Sequence, residues 1–218
     1  MKKKVIKAKA IIFDMDGVIT DTMPYHFKAW QEAFLKAGIK ADCCDIYLRE
    51  GQKGKDTVRE IFEEKRGEKP SLKLVEQILE YKESLFKKRA KPKLIKDMVK
   101  FISFLNKKNF RLALVTGTSR REVKKVLPNS LFRKFEVIVT SDEVRRGKPN
   151  PQPYKKAVKL LGIKPKEAVV IENAPFGIKS AKKAGLACIA LATSLPKQHL
   201  KEADVVLSSA SKLKSLLC

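Results

Sequence analysis

The chain of 218 residues is long enough for one large domain, or for one domain carrying an insertion, and it needs no disulfide or metal staple to hold a core. Hydrophobic residues make up 44% and charged residues 33%, which excludes a disordered chain, and no apolar run approaches the ~18 residues of a membrane helix. The 48 Lys and Arg against 24 Asp and Glu leave a net charge of +24, a field that attracts phosphate esters, nucleic acid or acidic surfaces.

The N-terminal Met-Lys-Lys-Lys does not lead into an export signal, because the apolar run at 10–13 stops at Asp14. Residues 10–14 (AIIFD) predict a first strand. About ninety residues without a clear strand follow. Within them Pro24 opens a helix with Phe27, Trp30 and Phe34 on one face, ended by Gly38. A second helical run carries Val58, Ile61 and Phe62, and a third, from Ser71, carries Leu72, Val75, Leu79 and Phe86. Pro92 is expected to start the helix that returns to the sheet, with Ile95, Met98, Ile102 and Leu105 inward. Strands are then predicted at 111–116, 136–140, 168–172, 187–192 and 204–207, with helices at 119–127, 151–161 and 175–184 between them. Short, almost wholly apolar strands alternating with helices predict a doubly wound, Rossmann-like α/β core around a parallel sheet. The expected division is a core of residues 1–20 and 91–218 with a helical insertion at 21–90.

Ligands of open α/β sheets bind beyond the carboxyl ends of the strands. The first strand ends in Asp14-Met-Asp16-Gly17, the second in Thr116-Gly117-Thr118-Ser119 and the fourth in Glu172-Asn173. The loop after the third holds Lys148-Pro149-Asn150-Pro151. Carboxylates, a hydroxyl beside backbone amides and a lysine make up what phosphoryl transfer requires: a nucleophile, a metal site, and donors for the phosphoryl oxygens. Gly17 permits the turn that lets Asp14 and Asp16 both reach one centre. Hard Mg²⁺ prefers such oxygen ligands. Asp21 either organises the crossing into the insertion or caps the helix after Thr22, and Thr116 and Thr118 are candidate caps for the helix that follows them.

These four motifs, in this order, resemble those of the haloacid dehalogenase superfamily of hydrolases, and the insertion resembles that family's α-helical cap. The second aspartate resembles the phosphatase and phosphomutase branches. The resemblance implies that Asp14 is the nucleophile and forms an aspartyl-phosphate, and that Asp16 is the acid and base. It implies that Thr116 and Gly117 grip the phosphoryl oxygens and that Lys148 neutralises their charge. Mg²⁺ would be held by Asp14, Asp16 through its carbonyl, and the Glu172–Asn173 pair. The family commonly has Asp where this chain has Asn173, which leaves open which of the pair touches the metal.

Residues 14–30 (DMDGVITDTMPYHFKAW) are similar to the opening of β-phosphoglucomutases, and His26 is then expected to orient Asp16. The loop containing Glu50, Gly51, Lys53 and Lys55 is expected to face the site and select the leaving group. It lacks the mutase arginine, so a phosphatase of small phosphomonoesters is the leading expectation and β-phosphoglucomutase the alternative. The charge also leaves a basic polyanion-binding protein with a degenerate site as a non-enzyme alternative. Basic residues run along the whole chain, and aromatic content is only 7%, so neither nucleic acid nor a membrane is an expected partner. Cys43, Cys44, Cys188 and Cys218 show neither CxxC nor zinc spacing. A soluble, reduced, cytoplasmic monomer that acts on a small-molecule phosphate ester is expected.

Overall fold

A computed structural model of the chain describes residues 8–217, and side chains only as far as residue 216. The N-terminal lysine run and Cys218 lie outside the described residues. Six parallel strands form one sheet: β1 (Ala10–Phe13), β2 (Arg111–Val115), β3 (Val137–Val139), β4 (Ala168–Glu172), β5 (Ala187–Leu191) and β6 (Val205–Leu207), in the order β3-β2-β1-β4-β5-β6. The order reverses between β1 and β4, so the crevice beyond their carboxyl ends is the switch point where such sheets take ligands.

Alternate residues of the central strands enter opposite faces. Ile11, Phe13, Leu112, Leu114, Val169 and Ile171 pack on one side, and Ala10, Ile12, Ala113, Val115 and Val170 on the other. Helices α1 (Met23–Lys36), α2 (Cys43–Tyr47), α3 (Gly54–Arg66) and α4 (Leu72–Arg89) form a separate unit between β1 and β2. It has its own apolar cluster of Trp30, Phe34, Ile46, Val58, Ile61, Phe62, Val75 and Ile78. The chain returns through α5 (Lys96–Lys107) and continues with α6 (Arg120–Val126), α7 (Asn129–Phe132), α8 (Gln152–Leu161), α9 (Pro175–Lys183) and α10 (Lys214–Leu217). Among the described residues no helix is long and apolar enough to cross a membrane.

Three local expectations are corrected. Pro92 does not start a helix: Leu94 bridges antiparallel to Thr20, the Asp21 amide donates to the Lys93 carbonyl at 2.8 Å, and the Ile95 amide donates to the Ile19 carbonyl at 2.9 Å. Residues 93–95 are held extended by this pairing, so α5 begins only at Lys96. Asp21 is exposed and makes no cap; α1 begins after Thr22 with no side-chain cap bond. Ser119, not Thr116 or Thr118, caps α6 by accepting from the Glu122 amide, because the two threonines are turned toward Asp16.

Phe34 is wholly enclosed in the helical unit. Phe34→Ala is expected to cost about 3–5 kcal/mol, read as a lowered urea denaturation midpoint. An unchanged midpoint would mean that this cluster does not hold the unit together.

Candidate active site

Register brings the first residues together. Phe13 lies opposite both Leu114 and Ile171, so Asp14 emerges level with Val115 and Glu172. The chain then turns sharply: the Gly17 amide donates to the Thr20 carbonyl at 2.7 Å, with Gly17 at φ +79°. A side chain at Gly17 would also collide with Asn173, whose Nδ2 lies 2.2 Å from the position of an added Cβ. Asp16 is thereby brought back beside Asp14.

Lys148 arrives from the loop before α8. Ser180 on α9 donates to the Asn150 carbonyl at 2.6 Å, and Asn150 Oδ1 accepts from the Gln152 amide at 3.0 Å, which fastens that loop. The buried Lys148 ammonium donates to Asp14 Oδ1 at 2.5 Å and to Glu172 Oε1 at 2.6 Å. Tyr154 donates to the same Glu172 oxygen at 2.8 Å, and the amides of Asn173 and Ala174 donate to the other at 2.9 and 3.3 Å. Both oxygens of Glu172 are therefore occupied. Asp14 Oδ2 and Asn173 Oδ1 are buried without any partner.

Asp16 is held differently. Thr22 donates to its Oδ1 at 2.5 Å and Thr118 to its Oδ2 at 3.0 Å, with Thr116 at 3.5 Å. His26 Nε2 stands 3.6 Å from Oδ1, and the imidazole stacks on Phe86 at 4.1 Å. These environments drive the two aspartates apart. Burial, only partly opposed by Lys148 and reinforced by the charges of Glu172 and Asp16, pushes Asp14 up to about 8. Burial also opposes ionisation of Asp16, but His26, Thr22 and Thr118 outweigh it and hold Asp16 down to about 2. Burial and the charge of Lys82 lower the proton affinity of His26 itself, against the pull of Asp16.

The predicted loop reaches the site only in part. Glu50 accepts from Asn173 Nδ2 at 2.8 Å, and Gly51 packs against Lys148 and Gly117. Lys53 and Lys55 line the same cleft as Asp14 and Asp16. Lys53 Nζ donates to the Val144 carbonyl at 2.6 Å, and Lys55 pairs with Glu76 at 3.1 Å. Sequence reasoning did not pick out as site residues Thr22, Tyr154 or Ser194, whose Oγ accepts from Asn173 Nδ2 at 3.0 Å. Thr22 lay inside the quoted DGVITDT string, but nothing local showed its hydroxyl turning to Asp16.

Asp14 Oδ2 and Asn173 Oδ1 are unpartnered, and the Lys148 ammonium, shared by Asp14 and Glu172, stands among four neighbouring carboxyl groups that feel one another's charge, Asp14, Asp16, Glu50 and Glu172. An excess of carboxyl groups with free hard oxygen atoms suits a divalent cation such as Mg²⁺. Asp42, Cys43 and Cys44 also gather their ligand atoms within 4.8 Å, but they are exposed, and thiolates favour softer metals. The site opens into a cleft of about 730 Å³ between core and helical unit, lined among others by His26, Trp30, Lys82, Arg121 and Arg145.

A sequence profile for the family described as haloacid dehalogenase-like hydrolase matches residues 11–191. A Thermotoga maritima protein named phosphorylated carbohydrates phosphatase is 32% identical over 193 residues, 82% of each chain. The β-phosphoglucomutase of Bacillus subtilis is 28% identical, over 94% of this chain and 91% of its own. The solved structure of a proposed β-phosphoglucomutase from Bacteroides vulgatus superposes with a TM-score of 0.86 at 30% identity, covering 97% of this chain and 88% of that one.

Lys148→Met would leave Asp14 and Glu172 buried without their shared cation. The variant is expected to lose about 3–5 kcal/mol, measured by thermal or urea unfolding. A melt like that of the wild type would show that the lysine does not hold the site together.

Proposed function

Because the chain belongs to the haloacid dehalogenase-like hydrolases, we propose that it is a Mg²⁺-dependent phosphatase of small phosphomonoesters, sugar phosphates or phosphoglycolate-like acids, working through an aspartyl-phosphate on Asp14. The chain is a phosphoric monoester hydrolase of that family. In this reading the helical unit, residues 21–90, is a cap over a core of residues 1–20 and 91–218. The observation that carries the reading is Asp14 itself: one oxygen gripped by Lys148, the other buried and uncommitted, with a second aspartate tuned the opposite way beside it.

Asp14 attacks phosphorus, forming a new O–P bond as the bond to the leaving oxygen breaks. Asp16 gives that oxygen its proton, then takes one from the water that hydrolyses the aspartyl-phosphate and releases inorganic phosphate. In the free site Asp16 is ionised, the form that can accept a proton in the second half. The negative phosphoryl group, present in both halves, raises the proton affinity of Asp16 toward the range that acid and base work need. Asp14 must lose its proton to attack, which a neighbouring cation favours. Lys148, the Gly117 amide and the Thr116 hydroxyl surround the position of the phosphoryl oxygens. Asp14 and Asn173 would hold Mg²⁺, which when bound neutralises charge on the transferring group.

The cap favours hydrolysis over transfer between two positions of a sugar. Arg49, a cap cation that could hold a second phosphate, donates to the Asp45 carbonyl at 2.9 Å and pairs with Glu60 and Glu64. Lys82, 5.0 Å over the Trp30 ring, lines the cleft and suits the polar body of a substrate.

Hydrolysis of p-nitrophenyl phosphate is expected to need Mg²⁺, to stop with EDTA and to disappear in Asp14→Asn. An Asp14→Asn enzyme of near-wild-type activity would refute the nucleophile. With β-glucose 1-phosphate, a coupled dehydrogenase assay is expected to show free phosphate and no glucose 6-phosphate; appearance of glucose 6-phosphate would replace this reading with a phosphomutase.

A further inference from the structure

Glu50 is an acid placed where an anionic substrate must come. A carboxylate there repels a phosphoryl group, so its charge calls for a cation. The residue as a whole is part-exposed, yet its Oε1 is enclosed and has no partner, while Oε2 accepts from Asn173. Asn173 in turn is oriented by two acceptors. Its Nδ2 donates to Glu50 at 2.8 Å and to Ser194 Oγ at 3.0 Å, which turns Oδ1 away from both and leaves it unpartnered. Asp14 Oδ2 is the third such atom. These three buried, unsatisfied oxygens come from three places: the end of β1, the end of β4, and the loop between α2 and α3. Leaving so many buried oxygens unmatched is costly unless a cation meets them.

We infer that Glu50 completes the metal site of the core from the helical unit, so that Mg²⁺ binding and closure of the cap are one event. The inference rests on the phosphatase reading for the presence of the metal and adds what that reading lacks. An aspartate at 173 would bring a negative charge to the core, but it could not donate to Glu50 and would set two carboxylates in contact. Asparagine gives up that charge and gains a donor, and Glu50 restores the charge from the other side of the cleft. The metal site is then complete only when the cap is down. Gly51 makes the approach possible: it sits at φ +78°, and an added Cβ would lie 2.6 Å from Lys148 Cδ. The Gly51 carbonyl in turn approaches so near that a Cβ at Gly117 would lie 2.8 Å from it.

The test titrates Mg²⁺ by calorimetry into the full-length wild type, Glu50→Gln, Glu50→Asp, Asn173→Asp and the Glu50→Gln/Asn173→Asp pair. Small-angle scattering is recorded with and without the metal. The wild type is expected to bind and to contract. Glu50→Gln, and Glu50→Asp with its shorter reach, are expected to bind roughly 10–100-fold more weakly and not to contract. In the Asn173→Asp background, Glu50→Gln is expected to bind no more weakly than Asn173→Asp alone, because the core then carries its own charge. Wild-type affinity and contraction in Glu50→Gln would overturn the role of Glu50 while leaving the metal-dependent phosphatase intact. No Mg²⁺ binding by the wild type would overturn the metal reading, and the inference with it.

Discussion

The Lys148 ammonium stands between Asp14 and Glu172, buried on every side, and the geometry of the site hangs on that contact. Burial alone would strip such a group of its proton, but the two carboxylates keep it charged and raise its affinity. The contact works because neither end can move. Glu172 is pinned by Tyr154 and by two backbone amides, and Gly177 leaves it room, since an added Cβ there would lie 1.8 Å from Glu172 Oε1. Asp14 is set by the register of β1 between β2 and β4. The sheet thus fixes the charges, and the charges fix the lysine.

The same neighbourhood separates the two aspartates. Asp14 shares one ammonium with another carboxylate in a desolvated position, while Asp16 receives hydroxyls from the core and from the helical unit. Environments that push paired carboxyls in opposite directions assign them different chemical work. The helical unit therefore touches the site directly: Thr22 and His26 contact Asp16, and Glu50 meets Asn173. The net charge of +24 is a property of the chain and does not describe this centre, where carboxyl groups outnumber the lysine. Long-range attraction of phosphate esters and local demand for a cation coexist because they act over different distances.

The order of the six strands and the longer helices, the helical unit after β1 and the positions of Asp14, Asp16, Thr116, Lys148 and Glu172 at strand ends and in the loops after them were legible in the residues, whereas the short helices α2, α7 and α10 were not. Buried parallel strands are short apolar runs, and chemistry-bearing residues stand at their ends. Pro92 misled because pairing of residues 93–95 with 19–21 is non-local, and no helix signal reports it. The partner of Lys53 was hidden for a related reason, since the Val144 carbonyl lies 91 positions away.

What the sequence by itself determined is which groups are present, on which strand ends, and their likeness to the motifs of the haloacid dehalogenase-like hydrolases. Only the tertiary structure decided how those groups are committed. Glu172 has both oxygens occupied, Asn173 offers one and donates with its nitrogen, and Glu50 crosses from the helical unit to meet it. Hydrogen bonding has a finite number of donors and acceptors per group, and which of them are already used depends on partners that local sequence does not show, such as Glu50 and Asn173, 123 positions apart.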